Sequence, residues 1–187
     1  MHHGEVELGR RWIQDHIPHQ DGMCLLDEVL SWDATHARCR SSTHRSLENP
    51  LRAYGRLGAA CGIEYAAQTM AVHGALVASA AGAAAPHGFL ASARGVQLHC
   101  NRLDDLTGDL VTAVKRLAGD QSTALYEFSV SADEVVLLKG RAAIAFDIFG
   151  PQEGADRGGR RGAAGEVGVE ASRNDTGDTT LGLEESL

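Results

Sequence analysis

Between Gly58 and Ala85 the chain runs GAACGIEYAAQTMAVHGALVASAAGAAA, a nearly all-apolar segment whose one formal charge is Glu64. Its small, good helix formers predict one long helix, with Gly58 and Gly62 at the start and Pro86 as the stop. Apolar residues lie on every side of it, so the helix should be buried. A lone carboxylate there calls for a reason, because a glutamate is almost never fully buried without a partner, and burial alone raises its pKa. General acids and bases arise in such settings. The uncharged stretch from Tyr65 to Ala85 has about the length of a bilayer span. However, Ala, Gly, Ser, Gln68 and His73 stand where a spanning helix carries Leu, Ile, Val and Phe, and no basic flank orients it. A central helix wrapped by the rest of its own domain is the reading that remains, with no membrane span.

The wrapping is written in segments that alternate, or run apolar, over strand lengths between polar turns. Cys24–Trp32 and Thr35–Thr43 predict a hairpin turning at Asp33-Ala34. After the helix come Gly88–Cys100, Asp109–Leu117, Thr123–Ser131 and Val135–Phe146, with turns at Gly119-Asp120 and Asp133-Glu134. Ala124, Tyr126, Phe128 and Val130 fall on one face, as a half-buried strand requires. One hairpin, one helix and four further strands predict an α+β domain with its helix against a mostly antiparallel sheet. That domain is expected to occupy residues 1–150. Residues 151–187 hold no aromatic residue and eight glycines in 37 positions, the composition of a disordered Gly-rich tail.

Residues 1–150 carry 13 basic and 17 acidic side chains, net −4, and the tail 4 and 8, also −4, which together give −8. Neither part has the basic character of a nucleic-acid binder. Cys24, Cys39, Cys61 and Cys100 are widely spaced without a CxxC pair, which predicts free core thiols in a reducing cytoplasm and no metal site. The first residues, Met1-His2-His3-Gly4, lack the apolar stretch of an export signal.

A second chemical cluster, Asp15–Asp27 (DHIPHQDGMCLLD), sets His16 and His19 around Pro18 ahead of the first strand. Histidine there suits a base, a ligand or a structural hydrogen-bonding residue, and no HxH or HExxH spacing favours the ligand. At about 100° per residue Gln68 stands one turn above Glu64 on the same face, while His73 points to the opposite side as a core or interface residue. His44 is a rival base, and Tyr65 is either a donor or a packing residue. His36, His87 and His99 read as surface or structural, and Asp27 as a turn or sheet-edge carboxylate.

Taken together, Pro18-His19, Leu25-Leu26-Asp27-Glu28-Val29 and Gly62-Ile63-Glu64-Tyr65-Ala66-Ala67-Gln68 resemble the hotdog-fold 3-hydroxyacyl-[acyl-carrier-protein] dehydratases. The resemblance covers about residues 10 to 149. It is closest to the dehydratase-like branch of aryl polyene biosynthesis, because Glu48-Asn49-Pro50-Leu51 leads through Gly55-Arg56-Leu57 into the Glu64 helix. It implies a hotdog fold, an antiparallel sheet around one long helix. The implied activity is a lyase that removes water from a 3-hydroxyacyl thioester in a fatty-acid-like or aryl polyene pathway. Housekeeping members carry a His-Phe-Pro-Gly motif about fourteen residues before the helix glutamate, and its histidine is the base. Here that region reads Asn49-Pro50-Leu51-Arg52. The resemblance therefore implies Glu64 as acid, with a raised pKa, and His19 as the substitute base, or else a subunit with an incomplete site.

On the same resemblance, backbone N–H groups near Gly58 and Gly62 would serve the thioester oxygen, with Gln68 beside Glu64. No cofactor is implied beyond the phosphopantetheine arm of an acyl carrier protein or coenzyme A. The partners implied are that carrier, docking at Arg52, Arg56, Arg94 or Arg102, and a second hotdog subunit in a homodimer or heterodimer. Two alternatives stay open: a hotdog acyl thioesterase, which also uses a helix carboxylate, and a non-catalytic partner subunit of a dehydratase dimer.

Overall fold

The computed structural model describes residues 8–85 and 87–147. The Met1–Gly4 segment, the proposed domain end at 150 and the Gly-rich tail lie outside the described residues. Six strands form one sheet: β1 (Glu28–Trp32), β2 (His36–Ser41), β3 (Gly88–Leu98), β4 (Leu110–Gly119), β5 (Thr123–Ala132) and β6 (Val135–Phe146). Their order across the sheet is β1-β2-β4-β5-β6-β3, with every neighbouring pair antiparallel. The long helix α2 (Gly62–Ala80) lies against β2, β4 and β5, and this is the hotdog arrangement.

The turns are built as their residues require. At the first hairpin the Asp33 carboxylate accepts the backbone N–H of Thr35 at 2.7 Å and of His36 at 2.9 Å, and Asp120 closes the β4–β5 turn in the same way. The hairpin strands are shorter than their sequence pattern. Cys24–Asp27 leaves the ladder because the Leu25 N–H donates to Gln68 Oε1, and Leu25 and Leu26 are fully buried.

The helix is also shorter than its apolar run. A 3-10 turn at Ala59–Cys61 precedes α2, and the helix ends at Ala80, short of the expected stop at Pro86. Gly82 takes a φ of +67°, its N–H bonds the Ser79 carbonyl, and the Ala83 N–H reaches back to the Ala78 carbonyl. This pair of bonds caps the free carbonyls of the last turn, and glycine adopts the left-handed angle without strain. One element is absent from the sequence reading: α1 (Arg10–His16), only seven residues long, with Ile13 as its sole buried side chain. It is too short to show a helical period.

The core sits between α2 and one face of the sheet. On β5, Ala124, Tyr126, Phe128 and Val130 are buried while Leu125 and Glu127 are exposed, as the alternation predicted. Fully burying a side chain such as Phe128 contributes about 1.5–3 kcal/mol. His73 takes a core place: the Asp33 carbonyl accepts from its Nε2, and its Nδ1 therefore accepts from the Tyr126 hydroxyl at 2.9 Å. At Gly62 the helix comes close to the sheet, since a Cβ there would stand 2.6 Å from Leu138 Cδ2. All four cysteines are free, and among the described residues no His, Cys, Asp and Glu cluster suits a metal. No helix among the described residues is long and apolar enough to cross a membrane.

Candidate active site

α1 ends where Ile17 turns extended ahead of Pro18, which cannot donate a backbone N–H to a continuing helix. The chain leaves along α2, and this brings His19 to Glu64, with His19 Nε2 3.2 Å from Glu64 Oε1. Both side chains are about three-tenths exposed, 27% and 30%, so the pair is open to a ligand on one side. Gln68 is fully buried behind it. Its Nε2 donates to Glu64 Oε1 at 3.1 Å and to the Met23 carbonyl at 2.9 Å, while its Oε1 accepts the Leu25 N–H at 2.8 Å. Every polar atom of that amide is engaged, so its orientation is fixed and Glu64 is held from behind.

The electrostatics reverse one expectation. Burial of Glu64 does push its pKa upward, but the hydrogen bond from His19 outweighs it, and the bond from Gln68 adds to the effect. The net shift is downward, so Glu64 is held as a carboxylate. The sequence foresaw the apolar helix and not the donors that the fold folds back onto it.

Glu64 and His19 open into a cleft of about 440 Å³ that runs along α2 past Ala67, Met70, Ala71 and Gly74. Phe89 and Leu90 of β3 and Ile144 and Phe146 of β6 form the opposite wall, and Tyr126 lines it as well. Glu64, Ala67, Ala71 and Gly74 share one helical face by their spacing, about 15 Å from end to end. A Cβ at Gly74 would meet nothing within 4 Å. Sequence reasoning missed Tyr126 and the β3 and β6 residues, because only the strand pairing brings them to the helix.

Other expected participants lie elsewhere. Gly58 and Gly62 do not line the cleft. Gly62 serves packing against Leu138, and the N–H groups of Ala59, Cys61 and Gly62 already donate to carbonyls of the chain. His44, the rival base, is fully buried in the 3-10 turn Thr43–Arg45 and is not part of the cleft wall. Asp27 is structural, taking the N–H and hydroxyl of Ser42 at 2.6 and 2.7 Å and pairing with Arg10. Of the arginines expected to dock a carrier, Arg52 and Arg102 are both tied to Asp104, at 3.0 and 2.6 Å.

Residues 11–153 match the model of the ApeP-like family, described as ApeP dehydratase. The chain belongs to the ApeP-like dehydratase family. Among solved structures, a chain of the dehydratase heterocomplex ApeI:P from Xenorhabdus doucetiae is similar at 23% identity and a TM-score of 0.66, over 72% of this chain and 90% of that one. A hypothetical thioesterase with coenzyme A from Streptococcus pneumoniae TIGR4 is similar at 14% identity and a TM-score of 0.45, over 64% and 84%. The PaaI protein of the phenylacetic acid degradation operon of E. coli is similar at 10% identity and 0.46, over 63% and 80%. No curated protein matches.

In this ApeP-like dehydratase the segment lacking the His-Phe-Pro-Gly histidine is a structural plug. Asn49 Nδ2 donates to the Thr43 carbonyl at 3.0 Å and to the Tyr65 hydroxyl at 2.8 Å, and its Oδ1 accepts the Leu51 N–H. Tyr65 in turn meets Thr43 Oγ1 at 3.0 Å, and Thr43 donates to the Leu25 carbonyl. Asn49 and Tyr65 are buried, at 5% and 0% exposure, so Tyr65 takes the packing role and not that of a donor to a ligand.

Proposed function

We propose that this chain eliminates water from 3-hydroxyacyl thioesters carried on an acyl carrier protein or coenzyme A, in a fatty-acid-like or aryl polyene pathway. The observation that carries this reading is the contact of 3.2 Å between His19 Nε2 and Glu64 Oε1 at the mouth of an apolar cleft. No other base is needed in place of the missing motif histidine.

The chemistry follows from one mobile proton shared by the pair. With that proton on His19 and Glu64 a carboxylate, transfer along the 3.2 Å contact gives a neutral imidazole and a carboxylic acid. Entry of an apolar acyl tail excludes water, which strengthens the burial effect on Glu64 and favours the transferred form. His19 Nε2 then takes the C2 proton, Glu64 protonates the departing C3 hydroxyl, and the C2–H electron pair becomes the C2=C3 bond as water leaves. The pair ends with the protons it began with, and positioned groups of this kind contribute about 10² to 10⁴-fold. Gln68 holds Glu64, and the cleft along α2 takes the tail.

A second hotdog subunit is part of the reading. β3 lies at the edge of the sheet with Phe89 61% and Leu98 49% exposed, and the similar ApeI:P chain comes from a heterocomplex. The test is conversion of a 3-hydroxyacyl pantetheine thioester to its enoyl product, read as the mass of water lost, with thiol release followed in the same tubes. Wild type, Glu64→Gln and His19→Ala are compared, each alone and mixed with a second hotdog subunit. Water loss abolished by both substitutions supports the pair. Thiol release without water loss moves the reading to a thioesterase, and silence of the single chain with unaltered activity of all mixtures moves it to a non-catalytic partner.

A further inference from the structure

The sheet has two faces, and the cleft uses one. Period-two alternation turns Tyr126 and Phe128 of β5 toward α2 and Leu125, Glu127 and Ser129 away from it. On the outward face the registers align His36, Lys115, Glu127, Arg141 and Arg94 in one row across β2, β4, β5, β6 and β3. The adjacent row reads Arg38, Ala113, Ser129, Lys139 and Gln97. These rows place five cations and one carboxylate on a domain that totals −4, from 13 basic and 17 acidic residues.

Elsewhere five arginines are answered by carboxylates. Arg10 meets Asp27, Arg40 and Arg45 share Asp109, and Arg52 and Arg102 share Asp104. Within the two rows the pairs in reach are His36 with Asp33 at 3.3 Å and Arg141 with Glu127 at 3.9 Å, both between well-exposed side chains and of little strength, and Arg38, Arg94, Lys115 and Lys139 are in neither. Arg94 stands directly opposite Arg141 on neighbouring strands, a placement of like charges that destabilises a sheet. Folding gives no reason for it. The rows border a groove of about 940 Å³ that has Ala113, Ser129 and Gly140 between the cations.

We propose that this basic groove docks an acidic protein, the carrier that brings the acyl thioester under the reading above, on which this inference rests. On a domain with a net negative charge, a cluster of cations on one face gives an acidic partner a favoured place to land, so the rows steer and orient the encounter. A second copy of this chain does not fit, because a two-fold interface would set these cations against themselves. A groove of this size admits one helix, about 10 Å across, where a flat lipid surface would leave it empty. The same strands line both places: the pair Ser92 and Ala143 faces the groove, and the next pair, Leu90 and Ile144, faces the cleft.

The experiment titrates the full chain with a holo acyl carrier protein at low and high salt. Arg94→Glu combined with Lys139→Glu is set against Arg11→Glu combined with Arg56→Glu, which has the same net charge away from the groove. The groove variant is expected to bind the carrier about tenfold more weakly at low salt, chiefly through the association rate, with the difference closing as salt rises. Its turnover of small pantetheine thioesters stays at the wild-type rate. Equal weakening by the control variant, unchanged carrier binding, or tighter binding to anionic phospholipid vesicles than to the carrier overturns the proposal. If small thioesters never lose water while carrier binding still follows the groove charge, the dehydratase reading fails and the docking face stands.

Discussion

Glu64 and Tyr65 are consecutive residues of α2, yet their oxygens meet opposite conditions. Tyr65 points into a closed network in which Asn49, Thr43 and the Leu25 carbonyl satisfy one another and no solvent reaches the hydroxyl. Glu64, about 100° round the helix, has donors behind it in Gln68 and beside it in His19 and remains 30% exposed toward the cleft. One residue has every bond closed by the fold, and the other keeps a side for something else. Counting hydrogen bonds thus separates structure from chemistry where composition cannot, and it shows Asn49, in the segment without the motif histidine, holding a structural place.

The comparison breaks first at Glu64. Glu64→Gln keeps shape and hydrogen-bonding reach but cannot donate the proton, so kcat/KM for dehydration should fall about 10² to 10⁴-fold. The melting temperature should stay near wild type. A large loss of stability would mean that Glu64 belongs to the closed kind after all.

Tyr65→Phe is the mirror experiment. It leaves one N–H of the Asn49 amide without its acceptor in a buried place and should cost about 1–3 kcal/mol in denaturant unfolding. Activity per folded molecule should remain within a few-fold, and a loss as deep as that of Glu64→Gln would erase the distinction.

Gln68→Ala lies between the two. It leaves the Leu25 N–H buried without its acceptor and removes one donor from Glu64. Stability should fall by about 1–3 kcal/mol. The acid limb of kcat/KM for the free protein should move to higher pH, because a hydrogen bond that lowers the Glu64 pKa is gone. The sign follows from the folded value lying below the ordinary 4.5: Glu64 adds stability that is complete above 4.5 and is lost as pH falls through the folded value. Unfolding against pH in the acid range reads both effects.

The smallest effect is expected at His44. It is fully buried without a well-formed hydrogen bond at either ring nitrogen, and burial, then the Arg45 charge, holds its pKa below the ordinary 6.5. The unfolded chain takes up a proton that the folded one refuses, so stability declines as pH drops below 6.5 toward the folded value. His44→Gln should flatten that slope, and an unchanged slope would place the acid sensitivity elsewhere, at His73 first of all.

The sequence made the β5 alternation, the hairpin at Asp33 and the lone Glu64 legible because each is local: a period, a turn residue, a missing charge partner. His19 was reachable through a family resemblance and not through spacing, since 45 residues separate it from Glu64. The direction of the Glu64 pKa was not legible, because it depends on two donors whose approach only the folded chain determines. The end of α2 was misplaced for a different reason: alanines continue the helical pattern past Gly82, and the stop lies in a backbone angle with no apolar signature. The N–H groups near Gly62 were expected to serve a thioester oxygen, and only the folded chain shows those of Ala59, Cys61 and Gly62 donating to its own carbonyls, with Leu138 close against Gly62.

The two borders of the sheet are finished differently. β1 is five residues long, bulged between Val29 and Ser31, and covered by the Leu8 carbonyl bonding the Val29 N–H. β3 runs eleven residues with Phe89 and Leu98 in the open and has no strand on its far side among the described residues. A long bare border of this kind is a template for adding strands, wanted or unwanted. In the expression flask, therefore, yield becomes a readout of assembly. Chain made alone at high concentration should collect in the pellet, and co-production of the subunit that pairs with β3 should move it to the supernatant.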